Sequence, residues 1–543
     1  MHRLRFSLWL GLLISANAFC APLAAQSRMP AKPAVTSAPR PSAPVTDLQP
    51  AGTASVRTVA TQRPSATDNV PEDASAMIRT AGGIASDADL LVQTDVVPTT
   101  AGAIELPPLA PGVESSSLQI ISSQTPAAAA EAEEKPEPPK EPEKPKEKAW
   151  YEKYKMRGYA QFRINHTTDH EDGTAVAQHA GDSSVGARDS FLIRRARLIF
   201  QADITDHLFV YLQPDFASGV PGSTDAIQFA QIRDWYGDLY VDTDKVHRFR
   251  VGQSKVPFGW ENLQSSSNRV PLDRDDAFNS ATRNERDLGV FYYWTPVEAQ
   301  ELFDKLNEEG LKPSGNYGIF GIGVHNGQGG SFREENDNVH LVSRLTWPWE
   351  FENGQIIETS VQGYTGEYVV LGSPIRPLGA GAVDVTPLGT RERGQVDGHL
   401  DQRIGGTFVW YPQPLGFQAE WLVGRGPELN DAQTAIERDF LQGGYAMLLY
   451  RIQTDNCGDF FPFARWQYFD GGYRSFRNAP HAQVKELDAG LEWQIRKEVE
   501  LTLSYSWTER TNLDAISSSA AVSRKSYRLF DGQLLRLQCQ INY

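Results

Sequence analysis

The residues best suited to chemistry in this chain are arginines at alternate positions. Arg195 and Arg197 are two residues apart, as are Arg248 and Arg250, and Arg163 lies in a similar setting. A spacing of two puts both members of a pair on one face of an extended strand. Lys255, Arg269 and Arg274 follow in the polar stretch QSKVPFGWENLQSSSNRVPLDRDDAFNSATRNERD, residues 253–287. Guanidinium groups are planar forks of N–H donors that match oxyanions bidentately, so a column of them would attract small anions. The same arginines would equally pair with acids such as Asp203, Glu486, Asp488 and Glu492 and stiffen the protein.

No comparable constellation supports catalysis. The signatures HExxH and GxSxG are absent, and the pair Asp275-Asp276 sits in a loop rich in Arg and Asn, where it reads as loop charge. Cysteines occur only at 20, 457 and 539, with no metal-ligand spacing and too few to staple a secreted fold. No metal or cofactor is implied. A formal net charge of -16, without a dominant basic domain, argues against a nucleic-acid partner.

The arginines need strands to position them, and the chain has many. In ELDAGLEWQIRKEVELTLSYSW, residues 486–507, the odd positions from Leu487 to Ile495 are apolar and the even ones polar. The pattern resumes after Arg496-Lys497-Glu498, with Val499, Leu501, Leu503, Tyr505 and Trp507 opposed to Glu500, Thr502, Ser504 and Ser506. Such alternation predicts strands with one oily and one wet face. Repeated from residue 158 to the end, it predicts about sixteen strands, an even number as an up-and-down antiparallel barrel requires. Short turns such as Asp206-His207 alternate with long loops at 166–189, 253–286, 368–403 and 425–441. The segment 296–315, PVEAQELFDKLNEEGLKPSG, reads as a helical insert on the short-turn side.

Alternation alone does not say which face meets which solvent, and other features bear on that. No internal run of about 18 apolar residues is present, so a helical membrane span is not expected, but a transmembrane barrel hides its apolar residues by alternation. His2, Arg3 and Arg5, the apolar run from Leu8 to Ile14 and Ala16-Asn17-Ala18 have the build of a secretory signal peptide. Residues 26–148 are rich in Ala, Pro, Ser and Thr and end in KPEPPKEPEKPKEK, a composition expected to stay disordered. The terminal LLRLQCQINY places Leu535, Leu537, Cys539, Ile541 and Tyr543 on one face and resembles the assembly signal of outer-membrane barrels. Aromatic residues near strand ends, Trp294, Trp347, Trp410, Tyr411, Trp493 and Trp507, suit interfacial girdles.

The expected organisation is a signal peptide at 1–25, a disordered periplasmic tether at 26–148 and an all-β transmembrane barrel at 149–543. The barrel would sit in the outer membrane of a Gram-negative-type envelope, its lipid against the oily face. The tail would lie in the periplasm, where a periplasmic or cell-wall partner is one use for it.

Three blocks, DSFLIRRARLIFQADI at 189–204, FRVGQSKVPFGWENLQSSS at 249–267 and RNERDLGVFYYW at 283–294, resemble the phosphate-selective porin O and P family in order and spacing. The resemblance implies a sixteen-stranded porin, usually a homotrimer, whose loop at about 253–286 narrows the pore. It also implies an arginine ladder and, in phosphate-selective members, a lysine in that loop. That lysine falls near Ser267 or Asn268, where this chain has none and Arg269 is adjacent. The expected function is passive diffusion of small anions, phosphate among the candidates. A barrel with a blocked lumen, serving as structural anchor or adhesin, is the alternative.

Overall fold

The computed structural model describes residues 150–170, His179, Asp182, Val185, and residues 191–219, 228–377, 383–394, 397–512 and 528–543. The expected signal peptide and tether lie outside these residues. The described chain forms one antiparallel sheet. Its strands are β1 (Tyr154–His170), β2 (Phe191–Thr205), β3 (Leu208–Gly219), β4 (Gln228–Tyr240), β5 (His247–Lys255) and β6 (Arg286–Trp294). Next come β7 (Phe320–His325), β8 (His340–Glu350), β9 (Ile356–Tyr368), β10 (His399–Trp410), β11 (Leu415–Leu429) and β12 (Ile436–Tyr450). The last are β13 (Ile452–Thr454), β14 (Gly458–Gly472), β15 (His481–Arg496), β16 (Val499–Asn512) and β17 (Arg528–Asn542).

Each strand pairs with its sequence neighbours, and β1 also pairs with β17, so the sheet closes on itself. The short β13 continues β12 along β14 beyond a break at Arg451, so the crossings number sixteen and the seventeenth strand is an extension. At the seam, Tyr159 stands opposite Asn542, and the terminal residue joins in: Gly158 N–H donates to Tyr543 O at 2.6 Å and Tyr543 N–H returns the bond at 3.0 Å. Closure matters because hydrocarbon offers a backbone N–H or C=O no partner, and a closed barrel leaves no edge unpaired.

The faces are resolved by exposure. Leu503 and Leu537 are 48% and 44% exposed, whereas their neighbours Ser504 and Arg536 are 1% exposed. Oily residues therefore point out of the barrel and polar ones in, the reverse of a water-soluble sandwich. Trp294, Trp347, Trp410 and Trp507 are exposed on the outside, as an interfacial girdle requires. Tyr411 departs from that expectation: just past β10, it turns inward and donates to Glu358 at 2.7 Å.

Long connections gather at one end and short turns at the other, with the exceptions the strands impose. The segment 425–441, expected as a loop, is mostly strand: β11 and β12 stay in register out to Leu429 opposite Ile436 and project as a hairpin. On the short-turn side, α3 (Val297–Glu308) interrupts the rule, as its sequence anticipates.

An inward–outward assignment of this kind is open to a direct check. Leu503→Arg puts a guanidinium near the middle of a lipid-facing strand and should cost about 2–4 kcal/mol of stability in a bilayer. Urea unfolding from phospholipid vesicles, followed by tryptophan fluorescence, measures it; an unchanged midpoint would mean that Leu503 does not face hydrocarbon.

Candidate constriction inside the barrel

The connection from β5 to β6, residues 256–285, does not hang outside; it runs inward and is buried along almost its whole length. Local chemistry explains the turn. Gly259 adopts φ 83°, and a Cβ there would lie 2.7 Å from the Phe278 ring, so the backbone packs against Phe278 as only glycine allows. Two short helices follow, α1 (Trp260–Leu263) and α2 (Asp276–Asn279). Asp275 caps α2 by accepting from Phe278 N–H at 3.0 Å, Glu261 accepts from Asp275 N–H at 2.7 Å, and Asn262 donates to Phe278 O at 2.8 Å. These bonds fold the loop on itself before it meets the wall.

The loop then bonds to the far wall with complementary charge. Its Glu261 pairs with Arg465 of β14 at 3.0 Å, Asp273 with Arg536 of β17 at 2.6 Å and Arg163 of β1 at 3.2 Å, and Asp276 with Arg510 of β16 at 3.3 Å. Where the loop offers amides instead, the wall offers carboxylates. Trp260 and Glu261 N–H groups donate to Glu420 of β11 at 2.6 and 2.8 Å, and the Trp260 indole donates to Glu358 of β9 at 3.2 Å. Arg403 of β10 donates to Ser280 Oγ at 2.5 Å. A segment that leaves between β5 and β6 and reaches β1, β9–β11, β14, β16 and β17 crosses the bore.

Each arginine and lysine singled out above faces this interior, in three groups. Arg163, Arg195, Arg197 and Arg269 gather where the loop passes β1 and β2. Arg197 pairs with Asp215 at 2.8 Å and donates to Tyr159 Oη and Ser266 Oγ at 2.8 and 3.0 Å; Arg163 also holds Asp182 at 2.5 Å. Arg195 donates to Gln161 at 2.7 Å and sits among the cations Arg163, Arg194, Arg197 and Arg269, with Asp273 the nearby acid. Arg269 donates to Pro271 O and Leu272 O at 2.9 and 2.8 Å, while its Nη1 is buried without a hydrogen-bond partner.

In the second group, Lys255 donates to Leu263 O and Gln264 O at 2.7 and 2.8 Å, and Arg274 pairs with Glu285 at 2.9 Å. The third group lies toward the short-turn end. Arg250 forks onto Asp238 at 2.7 and 2.8 Å and stacks 3.8 Å above Tyr236, and Arg248 donates to Asn316 O at 2.8 Å. Among the described residues, Arg195, Lys255 and Arg269 have no carboxylate within salt-bridge distance.

Sequence reasoning did not single out the acids that hold the loop. Glu358 and Glu420 sit at polar positions of alternating strands, and nothing local separates them from other inward acids. The partners come from a loop 98 to 160 residues away.

With this geometry in view, the relationship to known proteins is direct. Residues 172–543 match the family described as phosphate-selective porin O and P. The chain belongs to that family. It is an outer-membrane channel protein, and its family points to a channel rather than an enzyme. Similar solved structures include the outer membrane channel DcaP of Acinetobacter baumannii, with 13% identity over 72% of this chain and 97% of that one, TM-score 0.42. OmpF of Salmonella typhi, in complex with daunomycin, has 13% identity over 72% and 97%, TM-score 0.44. The trimer form of OmpT of Vibrio cholerae has 10% identity over 72% and 99%, TM-score 0.41. No curated protein matches the sequence.

Asp273 joins two wall arginines to the loop, so Asp273→Asn should loosen the loop without opening the barrel. Hydrogen–deuterium exchange is expected to rise across 256–285 and to stay slow in β14–β17. Breaking a buried pair costs about 3–5 kcal/mol, and uniform protection in both proteins would mean that the ion pairs do not hold the loop.

Proposed function

We propose that this porin is a passive diffusion channel for small anions, with phosphate and other oxyanions in the permeant class. The observation that carries the reading is the set of buried cations without a carboxylate partner, Arg195, Lys255 and Arg269, at the loop that crosses the bore. Most interior arginines are neutralised in pairs, so these three supply the net positive field where passage is narrowest. Arg269, with a free Nη1, stands beside the place where the family resemblance put a lysine. No chemistry is needed: fixed positive charge raises the local anion concentration, and the constriction limits size. Arg163, Arg197, Arg248, Arg250 and Arg274 line the approach in this reading, each balanced by an acid or a carbonyl. A homotrimer in the outer membrane, with the N-terminal tail in the periplasm, completes it.

Planar-bilayer recording of the full-length mature protein tests the proposal. In a potassium chloride gradient the reversal potential should take the sign of anion preference, and millimolar phosphate should reduce the chloride current. At an effective dielectric constant of about 20, a unit charge about 10 Å from an ion is worth about 1.7 kcal/mol. Arg195→Gln with Arg269→Gln should therefore lower the anion-to-cation permeability ratio by at least about tenfold. Cation preference in the unaltered protein would remove the anion assignment. An electrically silent barrel would favour an anchor or adhesin, a reading that the crowding of the bore by 256–285 keeps in play.

A further inference from the structure

The connection between β6 and β7 is out of place. It lies on the short-turn side, yet it spans 295–319 and contains the twelve-residue α3. Its outer end is tied down: Lys305 pairs with Glu350 at 2.6 Å, and Arg451 donates to Glu309 O, also at 2.6 Å. Its inner face is apolar. Ala299, Phe303, Leu306 and Leu311 form one buried cluster with Ile356, Val409, Tyr411 and Trp260, and Trp260 belongs to the constriction loop.

After α3 the chain enters the barrel. Leu311 to Ser314 are buried, and Lys312 is held in the left-handed region at φ 63°, an uncommon conformation for a residue with a side chain. Its ammonium sits 2.5 Å from Glu492 of β15 and 5.1 Å above the Phe461 ring. β15 lies on the far side of the closed sheet from β6 and β7, so the segment spans the bore. On the way it meets the constriction loop from below. Gln264 donates to Lys312 O at 2.7 Å and Asn268 donates to Pro313 O at 2.9 Å.

We propose that residues 295–319 form a second, periplasmic-side constriction, latched across the bore by the Lys312–Glu492 ion pair and propping the first constriction from beneath. The inference rests on the channel reading above. A solute that clears the loop at 256–285 next meets this segment, whose single buried charge facing the exit path is the Lys312 ammonium. Lysine suits a latch better than arginine because its compact ammonium is strongly hydrated and readily released to water once the pair opens. The insert thus sets conductance from the side opposite the loop that the family resemblance points to, and the bonds through Gln264 and Asn268 couple the two.

Single-channel recording of the full-length protein tests this, with heat-modifiable gel mobility as the check on barrel folding. Replacing 299–313 by a short Gly-Ser turn should raise conductance at least about twofold, because the narrower of two constrictions in series limits flow. Lys312→Met and Glu492→Gln, which keep the insert and remove the latch, should each increase conductance and closing noise. If the shortened variant does not fold, these two carry the test alone. A folded barrel whose conductance is unchanged by all of these changes overturns the proposal. Reversal potential separates the two readings: a cation-selective parent that still widens without the insert sinks the anion assignment and keeps the latch. A silent parent that conducts once the insert is removed also supports it.

Discussion

Everything in this molecule follows from a solvent that cannot hydrogen-bond. Hydrocarbon leaves each backbone N–H and C=O to find a partner within the protein, and sixteen crossing strands closed by the pairing of β1 with β17 satisfy that demand. Closure has a price in topology: the last residue must return to the first strand, and Tyr543 bonds Gly158 at the seam. Once the outside is committed to lipid, the strand period of two sends the alternate residues inward. The polar face of ELDAGLEWQIRKEVELTLSYSW therefore lines the interior, with Glu486, Asp488 and Glu492 buried there.

An interior so rich in charge must then balance itself. A buried charge without a partner is strongly destabilising, so arginines and acids are interleaved around the wall. The constriction loop extends that balance into the bore. It presents carboxylates to Arg163, Arg465, Arg510 and Arg536, backbone amides to Glu420 and the Trp260 indole to Glu358. Complementarity of this kind pins the loop across the bore without needing an apolar core there.

Much of this was legible in residues. The alternation at 486–507 and 533–543 located strands that the structure extends by only a few residues, and the blocks at 189–204, 249–267 and 283–294 pointed to the family that the chain belongs to. The parity of Arg163, Arg195, Arg197, Arg248 and Arg250 put them inside, where they are found. Less legible were the ends of elements. The hairpin of β11 and β12 runs on through residues whose polarity resembles a loop, because its far end is buried against other connections, with Leu429 and Ile436 packed on Tyr368, Val370 and Ile375, so the alternation set by lipid and lumen no longer applies. Tyr411 looked like a girdle residue by position, but one step past the end of β10 its side chain points in.

Which arginines would be neutralised was beyond the sequence, since an ion pair is decided by distance and the partners lie up to hundreds of residues apart. Asp273 meets Arg163 and Arg536 only because the barrel brings β1 and β17 together and the loop folds toward that seam. Period and turn chemistry are local, so the chain by itself determined strands, faces and a helical insert within 296–315. The direction in which 256–285 and 309–319 leave the wall is set by contacts across the bore, and those exist only once the cylinder has closed.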